Sequence, residues 1–252
     1  MKAIILAAGK GERLKGIVDA VPKPMVRIAG KPILQHNIEL CRKYGITDLY
    51  INLHHLPGRI VDYFGNGEKF GVSITYSYEE ELLGTAGAVR RIADHFWKEG
   101  HSPSAARHPR SDVVSTYNLP FLVIYGDNLL NYDLKTIISF HQACKGMGTI
   151  AFHRKDDVSQ SGIALLDDDG KIIKFIEKPG PHERISNLVN AGLYVLDRDI
   201  LKYILPGRVI DFARNVFPHA LRSGEALYGI EAQGSLIAID TPDLFKAAGP
   251  AL

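Results

Sequence analysis

The sequence predicts an α/β protein whose parallel sheet is covered by helices on both faces. The run Ala3-Ile4-Ile5-Leu6-Ala7 is continuously apolar and rich in β-branched residues, the pattern of a strand buried on both sides, and it gives way to Gly9 and Gly11. Strand-like runs then alternate with segments of helical period, which implies parallel strands joined by helical crossovers. The 252 residues suit one large domain, since α/β cores commonly exceed the usual size of about 150 residues.

The elements follow in order. Pro32 opens a helix through Cys41, with apolar positions recurring at three and four, and Gly45 stops it. Leu49–Leu53 reads as a second strand, Arg59–Phe64 as a short helix and Val72–Tyr76 as a third strand. Thr85–Phe96 is expected to be helical, Phe121–Tyr125 a buried strand and Leu134–Cys144 the helix after it. The stretch 98–120 loses all period and fills with Gly, Ser, Pro, His and Arg, as a surface insertion would. Strands follow in closer succession at Gly148–His153, Gly162–Leu166, Lys171–Ile176 and Ala191–Leu196, with Asp167-Asp168-Asp169-Gly170 as a hairpin turn. A helix at Val209–Leu221, strands at Ala226–Glu231 and Leu236–Ile239, and a helix opened by Thr241-Pro242 complete the expected order.

Composition excludes several classes of function. Thirty Lys and Arg against 28 Asp and Glu leave a net charge of +2, with 46% hydrophobic and 23% charged residues, the balance of an ordinary folded chain. No general electrostatic footprint for nucleic acid or an anionic membrane exists, so any bound anion must be met by a few placed groups. Cys41 and Cys144 are too few for a disulfide scaffold or a four-ligand zinc site and read as core thiols. The first apolar run is much shorter than a signal sequence, and no stretch nears the roughly 20 apolar residues of a membrane span. A cytoplasmic protein without membrane contact is expected.

Chemistry concentrates at strand ends. The loop Ala7-Ala8-Gly9-Lys10-Gly11-Glu12-Arg13-Leu14 could close backbone N–H groups on a phosphate or a base, with Arg13 adding fixed charge. A dinucleotide site would need a third glycine opening a helix and an acidic residue ending the second strand, yet that strand ends Asn52-Leu53-His54-His55. Pro22-Lys23-Pro24 stiffens the chain around one cation, which suggests an anion to be met. Tyr125-Gly126-Asp127-Asn128 places a carboxylate at the carboxyl edge of the sheet, as a metal ligand or a turn cap. His54-His55 reads as a loop cap or a contact beside a base, because no third metal ligand accompanies the pair.

Taken together, Leu6-Ala7-Ala8-Gly9-x-Gly11-x-Arg13-Leu14, Pro22-Lys23-Pro24, Leu83-Gly84-Thr85-Ala86-Gly87-Ala88, Gly126-Asp127, Glu177-Lys178-Pro179 and Asn190-Ala191-Gly192 closely resemble the sugar-1-phosphate nucleotidyltransferases. Six motifs in the family's order, from Met1 to about Phe245, carry the resemblance. It implies a single Rossmann-like domain over 1–252 with a mixed, mostly parallel sheet, lacking the C-terminal β-helix that some members append. It implies a reaction in which a nucleoside triphosphate and a sugar 1-phosphate give a nucleotide-sugar and pyrophosphate. The attacking phosphate oxygen is already ionised, so positioning and charge neutralisation replace a general base.

By this resemblance Arg13 and Lys23 hold the triphosphate, Asp127 binds Mg²⁺, and Lys178 meets the sugar phosphate. Leu6, Ala8, Gly9, Gly11, Glu79, Gly84 and Thr85 line the nucleotide pocket, while Gly162, Glu177, Asn190 and Gly192 face sugar hydroxyls. Homo-oligomers are common among resembling proteins.

Two departures stand out. Many members carry a second metal carboxylate in a segment that here reads Gly234-Ser235-Leu236-Ile237-Ala238-Ile239-Asp240-Thr241-Pro242, with Ala238 at the matching position. Asp240 lies two residues on, where strand alternation returns to the same face, so it either serves as the metal ligand or caps the following helix. The alternative of a catalytically impaired nucleotide-sugar-binding protein rests on Ala238. The other departure is Lys15-Gly16-Ile17-Val18-Asp19 after Arg13-Leu14, which is somewhat more similar to mannose and heptose 1-phosphate guanylyltransferases than to thymidylyltransferases; enzymes pairing dTTP or UTP with a hexose 1-phosphate are the alternative.

Overall fold

The computed structural model describes residues 1–9, 21–96 and 119–238. Gly11, Arg13, Asp240 and the helix expected from Thr241-Pro242 lie outside the described residues, as does the expected insertion at 98–120 apart from Leu119 and Pro120.

Strand β1 (Lys2–Leu6) comes first, and a single 3-10 turn at Lys23–Met25 precedes a small hairpin of β2 (Arg27–Ile28) and β3 (Lys31–Pro32). Then come α1 (Ile33–Lys43), β4 (Asp48–Leu53), α2 (Pro57–Phe64), β5 (Ser73–Tyr78) and α3 (Gly84–Phe96). In the second half, β6 (Phe121–Tyr125) and β7 (Asn128–Tyr132) lead into α4 (Leu134–Cys144). Strands β8 (Gly148–Arg154), β9 (Gly162–Leu166), β10 (Ile172–Glu177) and β11 (Leu188–Leu196) follow, then α5 (Phe217–Arg222), β12 (Leu227–Glu231) and β13 (Gly234–Ala238).

The central sheet is mixed. Its main path runs β10-β9-β11-β6-β1-β4-β5, and β8 pairs with both β11 and β12. Strands β6, β1, β4 and β5 are parallel, whereas β11 is antiparallel to β6, β8 and β9. Alternating side chains of the parallel strands enter two cores. Ala3, Ile5, Leu122 and Ile124 pack with Leu34, Ile38 and Ile60 from α1 and α2 on one face. Ile4, Phe121 and Val123 pack with Val89 and Ile92 of α3 and with Phe212 and Phe217 on the other. Each such fully buried side chain contributes about 1.5–3 kcal/mol relative to exposure, so the two-sided burial expected from the apolar runs is the main stabilising term of this half.

Three local departures from the sequence expectations have physical causes. Strand β7 was not foreseen; it forms because β13 pairs with it antiparallel, from Gly234 opposite Tyr132 to Ala238 opposite Asn128. The late helix does not start at Val209: residues Phe212–Val216 form a wide π-type turn, and α5 begins only at Phe217. Pro218 has no N–H and crowds the carbonyl one turn back, which favours a widened turn before it. Val209 and its neighbours are drawn away to α3, where the Ile210 carbonyl accepts from the Ala86 and Gly87 N–H groups. Finally, Cys144, expected in the core, is only partly covered because it is the last residue of α4, whereas Cys41 is buried as expected and burial pushes its thiol up to about 12.

Strand β11 carries an irregularity between Asn190 and Tyr194. Gly192 sits inside it at φ 67°, and a Cβ there would lie 2.7 Å from the Tyr125 ring. We therefore expect Gly192→Ala to destabilise the protein by about 2–4 kcal/mol, from left-handed strain and overpacking together. Urea unfolding checks this, and a midpoint equal to wild type would contradict it.

Candidate active site

The parallel register defines one edge. Leu6 is opposite Tyr125 on one side and Asn52 on the other, and Asn52 is opposite Ser77. The chain segments leaving these four strands, Gly126-Asp127, Ala7-Ala8-Gly9, Leu53-His54 and the stretch from Glu79 to Thr85, therefore open on the same side. This is the carboxyl edge, where α/β sheets bind ligands.

A cleft of about 280 Å³ occupies that edge, lined by Leu6, Ala8, Gly9, Lys23, Pro24, Asn52, Glu79, Leu82, Gly84, Thr85, Tyr125, Asp127 and Asp211. Eight of the residues expected from sequence thus surround one space: Leu6, Ala8, Gly9, Lys23, Glu79, Gly84, Thr85 and Asp127.

Lys23 reaches the cleft from its proline-bounded turn, where Pro22 holds φ −65° and ψ 147°. Its Nζ donates to Asp127 Oδ2 at 2.6 Å. The Lys23 side chain is 8% exposed and that of Asp127 34%, so the pair lies at the boundary between core and cleft, where screening by water is reduced. The two prolines fix the backbone while the ion pair fixes the tip, leaving a cation in a defined place on the cleft wall.

The floor is held by a buried amide. Asn52 Oδ1 accepts from the Ala7 N–H at 2.7 Å, and its Nδ2 donates to Glu79 Oε1 at 2.7 Å. Glu79 Oε2 in turn accepts from the Leu83 N–H at 3.0 Å. Glu79, expected from sequence to line the pocket, does so with both carboxylate oxygens bonded to the protein, shaping the first loop and the approach to α3. A ring nitrogen of His54 lies 2.9 Å from the Glu79 carbonyl, the loop-cap arrangement.

The remaining expected residues stand beside the cleft, not in its lining. Asn190 Nδ2 donates to the Tyr194 hydroxyl at 2.8 Å, and that hydroxyl donates to Tyr125 Oη at 3.1 Å. Burial pushes the Tyr125 phenol up to about 12, so this ladder is neutral across the physiological range. Gly192 packs against Tyr125, and the space at Gly162 is taken by Phe175 and the Glu177 carboxylate. Glu177 ends β10, and burial raises its pKa, an effect opposed by Lys178 and Arg214 and reinforced by Asp211. Lys178 itself is exposed, at φ 52°, with its N–H on the Ser161 carbonyl at 3.1 Å.

Asn52, Tyr125 and Asp211 line the cleft without any motif marking them in the sequence. A polar residue ending a buried parallel strand was the available signal for Asn52; Asp211 carried none, because it reaches the site from the far half of the chain. Among the described residues, no three His, Cys, Asp or Glu side chains are grouped to hold a metal, and no helix is long and apolar enough to cross a membrane.

The fold and cleft define an α/β domain that presents a fixed cation, a carboxylate and a glycine-containing loop at one strand edge, the equipment of a nucleotide-phosphate site. A family model for nucleotidyl transferases matches residues 2–236, and the chain belongs to that family. A UTP–glucose-1-phosphate uridylyltransferase of Synechocystis is 33% identical over 98% of this chain and 62% of its own length. A mannose-1-phosphate guanyltransferase of Saccharomyces cerevisiae is 32% identical over 97% of this chain and 63% of its own. The chain thus spans somewhat under two thirds of these relatives. A structure from Bacillus anthracis, assigned to glucose-1-phosphate thymidylyltransferase, superposes with a TM-score of 0.82 at 26% identity, covering 100% of this chain and 94% of that one.

Glu177 allows a test by pH. Its raised pKa means that ionisation in the folded state costs free energy, so its stabilising contribution is full below the unfolded pKa and is lost as pH rises through the folded one. Glu177→Gln should raise Tm at pH 8 and lose that advantage at pH 4. An equal shift at both values would contradict the burial of the charge.

Proposed function

We propose that the protein transfers a nucleotidyl group from a nucleoside triphosphate to a sugar 1-phosphate. The observation that carries this is the Lys23–Asp127 pair, 2.6 Å apart on the wall of a cleft that also contains the Ala8-Gly9 loop. Membership of the nucleotidyl transferase family and relatives named for UTP with glucose 1-phosphate and for mannose 1-phosphate guanylyl transfer support it. We favour GTP with mannose or heptose 1-phosphate, with dTTP or UTP and a hexose 1-phosphate as the alternative. Such a reaction fits the cytoplasm, where nucleoside triphosphates are available.

In this reading an oxygen of the sugar phosphate attacks the α-phosphorus, the bond to the β-phosphate oxygen breaks, and pyrophosphate leaves with its electron pair. No proton needs to be removed from the nucleophile, which accords with a cleft that has no histidine among the described residues of its lining. Lys23, together with Arg13, neutralises the triphosphate and the departing pyrophosphate. Asp127 holds the Lys23 ammonium in place before the phosphates arrive. Leu6, Ala8, Gly9, Gly11, Gly84 and Thr85 enclose the nucleoside, with Glu79 fixing the loop that carries Gly84. Lys178 meets the sugar phosphate, and Glu177, Asn190, Gly162 and Gly192 form the sugar side.

The donor chemistry suits Mg²⁺, which retains water and substrate phosphate oxygens and needs few carboxylates from the protein. Asp127 offers one hard oxygen donor at the cleft wall, and Ala238 of β13 pairs with Asn128 next to it. Bound by Asp127 and Asp240, the ion would add positive charge at the phosphates.

Pyrophosphate release, measured with Mg²⁺ across ATP, CTP, GTP, dTTP and UTP against hexose and heptose 1-phosphates, tests the proposal. Turnover with one pair is expected; silence beside a working control, with nucleotide still bound, would favour a binding protein instead. Asp127→Asn and Lys23→Ala should each lower kcat by roughly a hundredfold or more in protein that remains folded, as circular dichroism at the assay temperature checks. Wild-type rates in either would overturn the assignment. Asp240→Ala should reduce turnover and weaken Mg²⁺ dependence, whereas an unchanged Mg²⁺ titration would remove Asp240 from the metal site.

A further inference from the structure

The first turn of α3 is capped by chain more than 120 residues away. The Ile210 carbonyl accepts from the Ala86 and Gly87 N–H groups at 2.9 and 3.0 Å, and the Ile210 N–H donates to the Leu83 carbonyl at 2.9 Å. Asp211 Oδ1 accepts from both the N–H and the hydroxyl of Thr85, each at 3.2 Å, while Thr85 Oγ1 accepts from the Phe212 N–H at 3.0 Å. The approach is so close that a Cβ at Gly84 would lie 2.7 Å from the Ile210 carbonyl oxygen, and one at Gly87 2.6 Å from that of Arg208. N-terminal helix amides commonly serve as an anion site. In α3 the Thr85, Ala86 and Gly87 amides are already satisfied, so this turn acts as a wall whose position is set by the 208–212 segment.

That segment also reaches the cleft itself. Asp211 lines the cleft and influences the ionisation of both Glu177 and Tyr125. Its backbone N–H is tied to Asn215 Oδ1 at 2.8 Å, so the carboxylate is anchored from its own side. A second attachment lies about one turn further along α3, where Arg90 Nη1 donates to the Leu201 carbonyl at 2.9 Å. Removing the Asp211 contact should therefore loosen the first turn without releasing the helix.

We infer that the Thr85–Asp211 pair is a positioning latch, which sets the Gly84–Thr85 wall from the β10 side of the cleft and so makes nucleotide affinity depend on a segment that need not touch the nucleotide. The role as nucleotide wall rests on the functional reading above; the latch itself does not. Asp211 and Thr85 act through each other, so their substitutions should not add.

Two measurements test this. Amide hydrogen exchange without substrates should show faster exchange at Thr85 in Asp211→Ala and at Phe212 in Thr85→Val, with the strands unchanged. In steady-state assays with the nucleotide that turns over, Asp211→Ala and Thr85→Val should each raise its KM by roughly tenfold, a loss typical of one hydrogen bond to a charged group, with kcat changed much less. The double variant should be no worse than either single one. Asp211→Asn keeps an Oδ1 acceptor and should recover most of the KM. Unchanged exchange at Thr85 in Asp211→Ala overturns the proposal, as does an Asp211→Asn KM as high as that of Asp211→Ala, which would mean that the charge acts directly. If exchange changes as expected but no substrate pair turns over, the latch stands and the functional reading fails.

Discussion

Because β6, β1, β4 and β5 run parallel and in register, Tyr125, Leu6, Asn52 and Ser77 form one row across the sheet, and the chain leaves all four strands on the same side. Leu6, Ala8, Gly9, Asn52, Glu79, Tyr125 and Asp127 are placed in the cleft by that constraint. Asp127 stands two residues past Tyr125, Ala8 two past Leu6 and Glu79 two past Ser77, so one spacing repeats along the edge. The backbone at this edge has lost its sheet partners and must find others. Asn52 supplies them, bonding the Ala7 N–H and bringing the Glu79 carboxylate to the Leu83 N–H.

The electrostatics follow from the same geometry. A chain of net charge +2 has no strong general field, so its electrostatics are local. At the cleft wall Lys23 and Asp127 hold opposite charges in contact, partly withdrawn from water. Withdrawal costs solvation free energy for both ions, and their mutual attraction offsets it only while the geometry is kept. The proline-bounded turn keeps it on one side and the end of β6 on the other.

The antiparallel half completes the cleft. Strand β11 joins β6 and brings Tyr194 against Tyr125, and the 208–212 segment returns to α3 with Asp211. Parallel crossovers alone would leave the first turn of α3 open to solvent. With Ile210 and Asp211 seated on it, the wall of the cleft is built from both halves of the chain.

Much of this was legible in the sequence. Buried strands announce themselves by unbroken β-branched runs, and Phe121–Tyr125 was bounded correctly because apolar periodicity is a local property. Lys23 and Asp127 could be picked out by residue type and by position, one between prolines and one after a strand, and the family resemblance gave both a role. The placement of Asp211 in the cleft could not be read this way. Asp211 meets Thr85 across 126 residues, and no period or spacing encodes a contact of that separation. The late helix failed as an expectation for the same reason: its first residues satisfy their backbone on α3, and tertiary hydrogen bonds outweigh local propensity. The sequence by itself determined the buried strands of the central sheet, their alternation with helices and the chemical identity of the charged groups, because these depend on neighbours along the chain. Only the tertiary structure decided which of them face one another, because that depends on sheet register and on contacts between distant segments.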